Sequence, residues 1–281
     1  MYLVWLVAAL GALMVVAAVV AGAWWLHRRV RRRRIPRRAP APRYPVVLAH
    51  GVMGFDEIAV GARRHGYFRG VRERLESLGA VVHRARVPPS ASVAVRAERL
   101  AELLRSLPGG KVNVVAHSMG GLDARYAIAR LGLANRVASL TTIGTPHLGT
   151  PLADIGHGLL ELFQIKRLLK PIITLDAFHD LTTSRMAAFN REVRDAQQVA
   201  YLSIVARAPR GRLNPLLRAP YRWLAESAGE NDGLVPVDSQ RWGEVLREIE
   251  ADHWAQIGWS SEFDAPALFE ELVRELAARG F

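Results

Sequence analysis

The chain has 281 residues and contains no cysteine. This absence excludes a disulfide framework, a zinc site built on cysteine ligands and a thiolate nucleophile. It does not decide the compartment in which the protein works. Any nucleophilic chemistry in this chain has to rest on another side chain, such as a hydroxyl.

Charged residues are absent between Tyr2 and Leu26, while nine arginines follow within residues 28–43. About 25 helical residues are long enough to span a hydrocarbon core of ~30 Å. Because positive charge stays on the cytoplasmic side of a membrane, the pattern predicts an outside amino terminus and a cytoplasmic main domain. We therefore predict a transmembrane anchor over residues 1–26, an Arg/Pro-rich linker over 27–43 and localisation in the inner membrane.

An alternative for the same segment is a signal peptide that is cleaved near residues 21–23, with export of the remaining chain. The arginine tract supplies most of the formal net charge of +12. A basic run beside a membrane span is explained by topology and by contact with anionic lipid headgroups. The charge therefore predicts a membrane partner and no nucleic-acid partner.

Apolar runs and amphipathic stretches alternate along residues 44–281, which we predict to form one domain. Such alternation predicts an α/β fold with a mostly parallel central sheet flanked by helices. Leu- and Ile-rich residues 152–175 interrupt it, and we predict a helical lid over about 151–195, with an ordinary sheet-covering helix as the alternative. The predicted strands are 45–49, 80–87, 112–115, 137–143 and 201–206, and the predicted helices are 67–78, 93–107, 119–131 and 263–279.

Residues 116–121 (Ala-His-Ser-Met-Gly-Gly) lie where a predicted strand meets a predicted helix. A serine at this point is typical of a nucleophile elbow, usually written G-x-S-x-G. The turn crowds the backbone two residues before and two residues after the serine, and Ala116 and Gly120 both leave room there. We therefore predict Ser118 as a nucleophile, with a serine that caps an ordinary helix as the alternative.

A serine nucleophile needs a base, and the base needs a carboxylate that holds its tautomer. After a nucleophile elbow the chain order is serine, acid, histidine. His253 lies after the last predicted strand and before the closing helix, so we predict it as the base. Asp232, on the polar turn 230–236, is the predicted acid. Asp238 on the same loop is the alternative, and Asp252 is disfavoured because neighbouring side chains point in different directions.

Two N–H donors are needed for the oxyanion of an acyl-transfer intermediate. One is expected to be the amide of Met119, directly after the nucleophile, and the other an amide of the loop after the first strand. Gly51 lets this loop approach the substrate, so we predict Val52 as the second donor. His50 precedes the nucleophile and is predicted to organise the loop.

Five segments together resemble the bacterial true lipases of the Pseudomonas/Burkholderia type. The elbow alone is shared by many hydrolases, whereas the ordered set is far more specific. The similar segments are residues 45–56, 116–121, 145–149, 181–190 and 231–235.

This resemblance implies an α/β-hydrolase fold with a mobile lid and long-chain acyl esters as substrates. It also implies the same roles for Ser118, Asp232, His253, Val52 and Met119. The expected function is a membrane-anchored serine ester hydrolase, a lipase or carboxylesterase, with no cofactor and no obligatory protein partner. The alternatives are a phospholipase, thioesterase or acyltransferase with the same triad, or a catalytically inactive membrane-tethered scaffold.

The chain departs from these lipases at the calcium site that braces their histidine loop. Two of the family's ligand positions hold Ala255 and Trp259 here. Calcium takes six to eight oxygen ligands, and neither side chain supplies one. We therefore predict that the family's calcium site is missing and that the chain has no metal site.

Overall fold

The computed structural model describes residues 41–52, 57–60, 63–162, 176–209, 211 and 213–281. Six of the strands in these ranges form one sheet, and the other two form an antiparallel hairpin. The strands are β1 (Val46–Ala49), β2 (Glu57–Val60), β3 (Arg63–Gly66), β4 (Val82–Arg84), β5 (Val112–His117), β6 (Val137–Ile143), β7 (Ala200–Arg207) and β8 (Glu244–Glu250).

The large sheet has the strand order β4-β1-β5-β6-β7-β8, and every neighbouring pair in it is parallel. The carboxyl ends of parallel strands meet at one edge, which is where ligands bind in open α/β sheets. The chain leaves this edge at His50 after β1, at Ser118 after β5 and at Gly144 after β6. The sheet therefore collects these loops on one side of the molecule.

Helices connect the strands and cover both faces of the sheet. They are α1 (Val71–Ser77), α2 (Val93–Ser106), α3 (Gly120–Arg130), α4 (Pro151–Leu162), α5 (Asp176–Asp180), α6 (Thr183–Glu192), α7 (Arg218–Ser227), α8 (Val237–Gln240) and α9 (Ala265–Ala278), with 3₁₀ turns at Pro215–Leu217 and Ala255–Ile257. Ser92 precedes helix α2, and its hydroxyl accepts from the amide of Val95. Asp264 precedes α9, and its carboxylate accepts from the amide of Ala267. Both are N-caps that satisfy an otherwise unpaired amide of the first helical turn.

The hydrophobic core lies in two layers, one on each face of the sheet. On one face α2 and α3 bury side chains such as Leu100 and Ile128 against β5 and β6. On the other face α1 and α9 bury Leu75 and Phe269 against β1 and β5. Because β5 is buried over its full length, the residue that follows it is held by the most enclosed strand of the sheet.

The predicted α/β fold with a mostly parallel sheet and flanking helices is confirmed. Strand β6 has the predicted bounds, and β1, β5 and β7 lie within two residues of them at each end. Strand β8 (Glu244–Glu250) was not predicted, and it is an edge strand with three exposed and no buried residues. Four of its seven residues are charged, so it contains no apolar run that would mark it as a strand.

Within the predicted lid, residues 151–195, the described parts form α4, α5 and α6, and residues 163–175 lie outside the described ranges. These helices bond to their surroundings: the amide of Val93 donates to Asp180, and the amide of Thr183 donates to Asp154 on α4. That this segment acts as a lid stays a prediction.

The prediction of a single-pass protein of the inner membrane is wrong. No helix in the described ranges is both long and apolar enough to cross a bilayer. The longest of them, α2 and α9, have 14 residues, or about 21 Å at 1.5 Å per residue, which is short of a ~30 Å hydrocarbon core. Residues 1–26, on which the predicted anchor depends, lie outside the described ranges.

Candidate active site

Ser118 lies in a sharp turn between β5 and α3 with φ at 55°, the one positive value of a non-glycine residue in the described chain. A non-glycine residue in this region costs on the order of 1–3 kcal/mol and persists only where its surroundings fix it. Here the Ser118 amide donates to the carbonyl of Ile143 (2.9 Å), and its carbonyl accepts from the hydroxyl of Thr145 (2.7 Å). The strand and the neighbouring loop therefore hold the serine in the geometry of a nucleophile elbow.

Three glycines allow the close packing around Ser118: Gly120 and Gly121, which follow it in the chain, and Gly51 in the loop after β1. A Cβ at Gly120 would lie 2.6 Å from the carbonyl oxygen of Ala49, and one at Gly121 would overlap the Thr145 hydroxyl. A Cβ at Gly51 would lie 2.6 Å from the Cβ of Ser118. The loop after β1 thus reaches van der Waals distance of the serine only because it carries no side chain at Gly51.

Asp232 and His253 form a short buried hydrogen bond. The Nδ1 atom of His253 lies 2.7 Å from Oδ2 of Asp232, and both residues are buried. Because a carboxylate only accepts, Nδ1 carries the proton and Nε2 is left as a proton acceptor. A backbone hydrogen bond joins the same two residues, since the His253 amide donates to the carbonyl of Asp232 at 2.8 Å.

The other oxygen of Asp232 accepts from the amides of Leu234 (3.0 Å) and Val235 (2.8 Å). These two backbone donors hold the Oδ1 oxygen of the buried carboxylate in place. The same turn is closed by a bridge between Asn231 and Pro236. The polar turn 230–236 thus aims the carboxylate away from solvent and towards His253.

The two alternative acids have other surroundings. The side chain of Asp238 is 92% exposed and lies 3.9 Å from the guanidinium of Arg241. The carboxylate of Asp252 accepts from the amides of Trp254 (3.1 Å), Ala255 (2.8 Å) and Asn214 (2.8 Å). Asp252 therefore shapes the turn that follows His253, whereas Asp238 lies on the surface.

His117 and Tyr67 connect the elbow with the loop after β1. The Tyr67 hydroxyl lies 2.8 Å from Nδ1 of His117 and accepts from the amide of Gly51 at 3.2 Å. The His117 ring lies against that of His253, with centroids 4.5 Å apart. Burial lowers the pKa of His117 well below its usual range, and the nearby His253 lowers it further. His117 is therefore neutral at physiological pH.

The two predicted oxyanion donors are Met119, which follows Ser118 in the chain, and Val52, which follows Gly51. Met119 begins the elbow helix and is fully buried, and the first amides of a helix have no partner within it. Val52 packs against the apolar cluster that contains Met119 and Leu122. Residues 53–56, which continue the loop, lie outside the described ranges. The roles of Val52 and Met119 stay predictions.

A buried ion pair behind the site, between Arg96 on α2 and Asp123 on α3, was not predicted. The two side chains approach to 2.8 Å and are almost completely buried. Arg96 also donates to the carbonyl of His50 at 2.7 Å. Burial raises the pKa of Asp123 to about 6, and the Arg96 guanidinium opposes the shift. The pair thus ties the elbow helix to the loop that carries Gly51.

The segment 145–149 belongs to a second buried polar cluster. Arg125 donates to Nδ1 of His147 (3.4 Å) and to the side chain of Asn190 on α6 (2.9 Å). Its guanidinium carbon lies 3.6 Å from the ring centroid of Trp242, a cation–π contact. Burial lowers the pKa of His147 well below its usual range, and Arg125 adds to this lowering. His147 therefore packs as a neutral residue between α3, α6 and the loop before β8.

No group of three or more histidine, aspartate or glutamate side chains in the described ranges could hold a metal ion. At the two family calcium positions, the Ala255 amide bonds to Asp252 and the Trp259 indole donates to the carbonyl of Tyr67 (2.9 Å). Hydrogen bonds thus hold the histidine loop at these positions. The predicted absence of a calcium site stays a prediction.

The chain is similar in sequence and fold to known lipases and esterases. A family model of the alpha/beta hydrolase fold matches residues 82–196. "Triacylglycerol lipase 2" of Saccharomyces cerevisiae is 29% identical over 82% of this chain and 84% of its own length. A triacylglycerol lipase of Pseudomonas fragi is 29% identical over 75% of this chain and 86% of its own length. The crystal structure of a metagenomic carboxyl esterase has a TM-score of 0.74 at 23% identity and covers 88% of this chain and 79% of that chain.

The chain has the α/β-hydrolase fold. The resemblance to bacterial lipases that the sequence motifs indicated is confirmed. The expectation of an enzyme of the lipase or ester-hydrolase class is confirmed as well.

Proposed function

We propose that the chain hydrolyses carboxylic esters with Ser118 as nucleophile, His253 as general base and Asp232 as the acid that orients it. The observation that carries this proposal is the 2.7 Å hydrogen bond from His253 Nδ1 to Asp232. This bond fixes the tautomer in which Nε2 can take a proton from a serine hydroxyl. The strained backbone of Ser118, at φ 55°, is what a nucleophile elbow requires.

The chemistry follows the order of a serine hydrolase. The Ser118 hydroxyl gives its proton to His253 Nε2 as Oγ attacks the acyl carbon, and the carbonyl oxygen becomes an oxyanion that accepts from the amides of Val52 and Met119. The protonated His253 then donates its proton to the leaving alcohol, which departs as the acyl-enzyme forms. Water attacks the acyl-enzyme with loss of a proton to His253, and His253 returns this proton to Ser118 Oγ as the bond to the acyl group breaks and the acid product leaves. Asp232 stays ionised throughout.

The proposed substrates are acyl esters of lipids, because the similar proteins from Saccharomyces cerevisiae and Pseudomonas fragi bear the name triacylglycerol lipase. The Ser118 hydroxyl, with His253 as its base, supplies the nucleophile for such esters. A phospholipase, thioesterase or acyltransferase would use the same three side chains and differ in the leaving group or the acceptor.

The test is hydrolysis of p-nitrophenyl esters of graded length, acylglycerols and phospholipids by the wild-type chain and by Ser118→Ala. We expect hydrolysis of acylglycerols by the wild type and a fall to background for Ser118→Ala, with an unchanged circular dichroism spectrum. Ser77→Ala is a matched control, since Ser77 is an exposed hydroxyl at the end of α1 that donates to Arg74. Activity retained in Ser118→Ala would contradict the proposal, and a wild type without activity on any of these esters would favour a non-catalytic role.

A further inference from the structure

The carboxylate of Asp232 has a second side-chain donor that is absent from the predicted triad. Nε2 of Gln256 lies 2.9 Å from Oδ2 of Asp232, the same oxygen that accepts from His253. Gln256 is completely buried. It lies in the 3₁₀ turn Ala255–Ile257, which begins two residues after His253. The turn is shaped by Asp252, whose carboxylate accepts from Ala255. The loop that carries the histidine therefore also carries a donor for the histidine's partner.

The orientation of the Gln256 amide follows from its partner. A carboxylate oxygen only accepts, so the NH₂ group and not the carbonyl oxygen of the amide faces Asp232. Space for this arrangement is left by Gly144, at φ 57°, where a Cβ would overlap Oε1 of Gln256 and lie 3.1 Å from Oδ2 of Asp232. The end of β6 thus leaves a site for an amide and a carboxylate side by side.

The other end of the amide lies near His117. Oε1 of Gln256 and Nε2 of His117 are both buried, and neither has a hydrogen-bond partner among the described residues. Burial lowers the pKa of His117, and the His253 backbone and the Gln256 side chain both oppose this shift. Nδ1 of His117 lies 2.8 Å from the Tyr67 hydroxyl, which accepts from the amide of Gly51.

We propose that Gln256 is a positioning residue that holds the Asp232 carboxylate in the orientation that His253 requires. The inference rests on the proposed function, because it assumes that Asp232 and His253 act as acid and base. Gln256 contacts the acid and not the ester, so its contribution is expected in the chemical step.

The expected effect of Gln256→Leu is a fall of about 10- to 100-fold in kcat, which corresponds to the loss of one hydrogen bond to a charged group. KM should stay within about twofold of the wild-type value, because an interaction that matters only in the transition state lowers kcat and kcat/KM equally. Asn113→Leu is the matched control: Asn113 is another completely buried amide, bonded to Ser139 at the amino end of β5. This control should lose stability and keep its kcat.

A second variant, Gln256→Glu, gives a readout that a purely structural role would not produce. A protonated carboxyl at this position donates to Asp232, whereas an ionised one repels it, and two carboxylates that share a site have one strongly raised pKa. The titratable groups that face this position are Asp232, His253 and His117. We expect kcat of Gln256→Glu to fall with rising pH in the alkaline range where the wild type is constant.

The experiment measures kcat, KM and melting temperature for the full chain and for the variants Gln256→Leu, Gln256→Glu, Asn113→Leu and Ser118→Ala. A wild-type kcat in Gln256→Leu, or an equal loss of kcat in Asn113→Leu, overturns the inference. A pH profile of Gln256→Glu parallel to that of the wild type overturns it too, and this arm decides the matter if Gln256→Leu does not fold. Activity that persists in Ser118→Ala would instead overturn the proposed function.

Discussion

Replacement of Asp232 by asparagine gives a stringent prediction because the surroundings of the carboxylate dictate what the amide can do. Oδ1 accepts from two backbone amides, Leu234 and Val235, and Oδ2 accepts from His253 and Gln256. The single oxygen of asparagine is expected to take the Oδ1 position, because two fixed amides would otherwise face an NH₂ group. The NH₂ group then faces Nδ1 of His253.

A donor at this position reverses the tautomer of the imidazole. Nδ1 of His253 has to accept, the ring proton moves to Nε2, and Nε2 can no longer take the proton of Ser118. Loss of the orienting acid in a triad of this kind lowers kcat by about 10⁴-fold, or about 5 kcal/mol of transition-state stabilisation at ~1.4 kcal/mol per tenfold. The fold should persist, because asparagine has nearly the same volume as aspartate.

The assay is hydrolysis of a p-nitrophenyl ester with kcat measured for Asp232→Asn and for Asp238→Asn. The side chain of Asp238 is 92% exposed and lies in α8, directly after the turn that carries Asp232, which makes it a matched control with an expected change of less than twofold. If Asp238→Asn lost more activity than Asp232→Asn, or if Asp232→Asn kept its kcat, the reasoning from the carboxylate's hydrogen bonds would be refuted.

Two further predictions concern stability and metal dependence. The buried His117 and His147 have lowered pKa values, so below pH ~6.5 the unfolded chain binds protons that the folded chain does not. The free energy of unfolding therefore falls with decreasing pH, by up to ~1.4 kcal/mol per pH unit for each histidine. Urea unfolding at several pH values should give a shallower slope between pH 5 and 6.5 for His147→Gln than for the wild type, and equal slopes would contradict the burial argument. Because Ala255 and Trp259 supply no side-chain oxygen, EDTA should leave melting temperature and activity unchanged; a loss that calcium restores would reveal a site built from other residues.

The local parts of the site could be predicted from the sequence because each has a local cause. Ser118 is marked by the small residues Ala116 and Gly120, which the turn needs. The buried strands are marked by apolar runs, so the parallel sheet follows from their alternation with helices. Strand β8 could not be predicted in this way, because it is an edge strand with many charged residues and contains no apolar run.

The hydrogen-bonded surroundings of the site could not be predicted, because they join residues far apart in the chain. Arg96 and Asp123 are separated by 27 residues, and Tyr67 and His117 by 50. No spacing rule relates such pairs. A buried charge is disfavoured unless it is paired, so a charged side chain is not expected in the core when its partner cannot be identified from the sequence. Gln256 lies only three residues after His253, but its role depends on Gly144, which leaves the space for its amide.

The measurement that tests the central claim most directly is covalent labelling with a fluorophosphonate, followed by peptide mass spectrometry. An activated serine attacks the phosphorus and keeps the phosphonyl group, whereas an ordinary hydroxyl does not react at a useful rate. We predict one labelled residue, Ser118, with labelling slowed in Asp232→Asn and absent in Ser118→Ala. A label on any other residue, or labelling that persists in Ser118→Ala, would contradict the assignment of the nucleophile and the triad built on it.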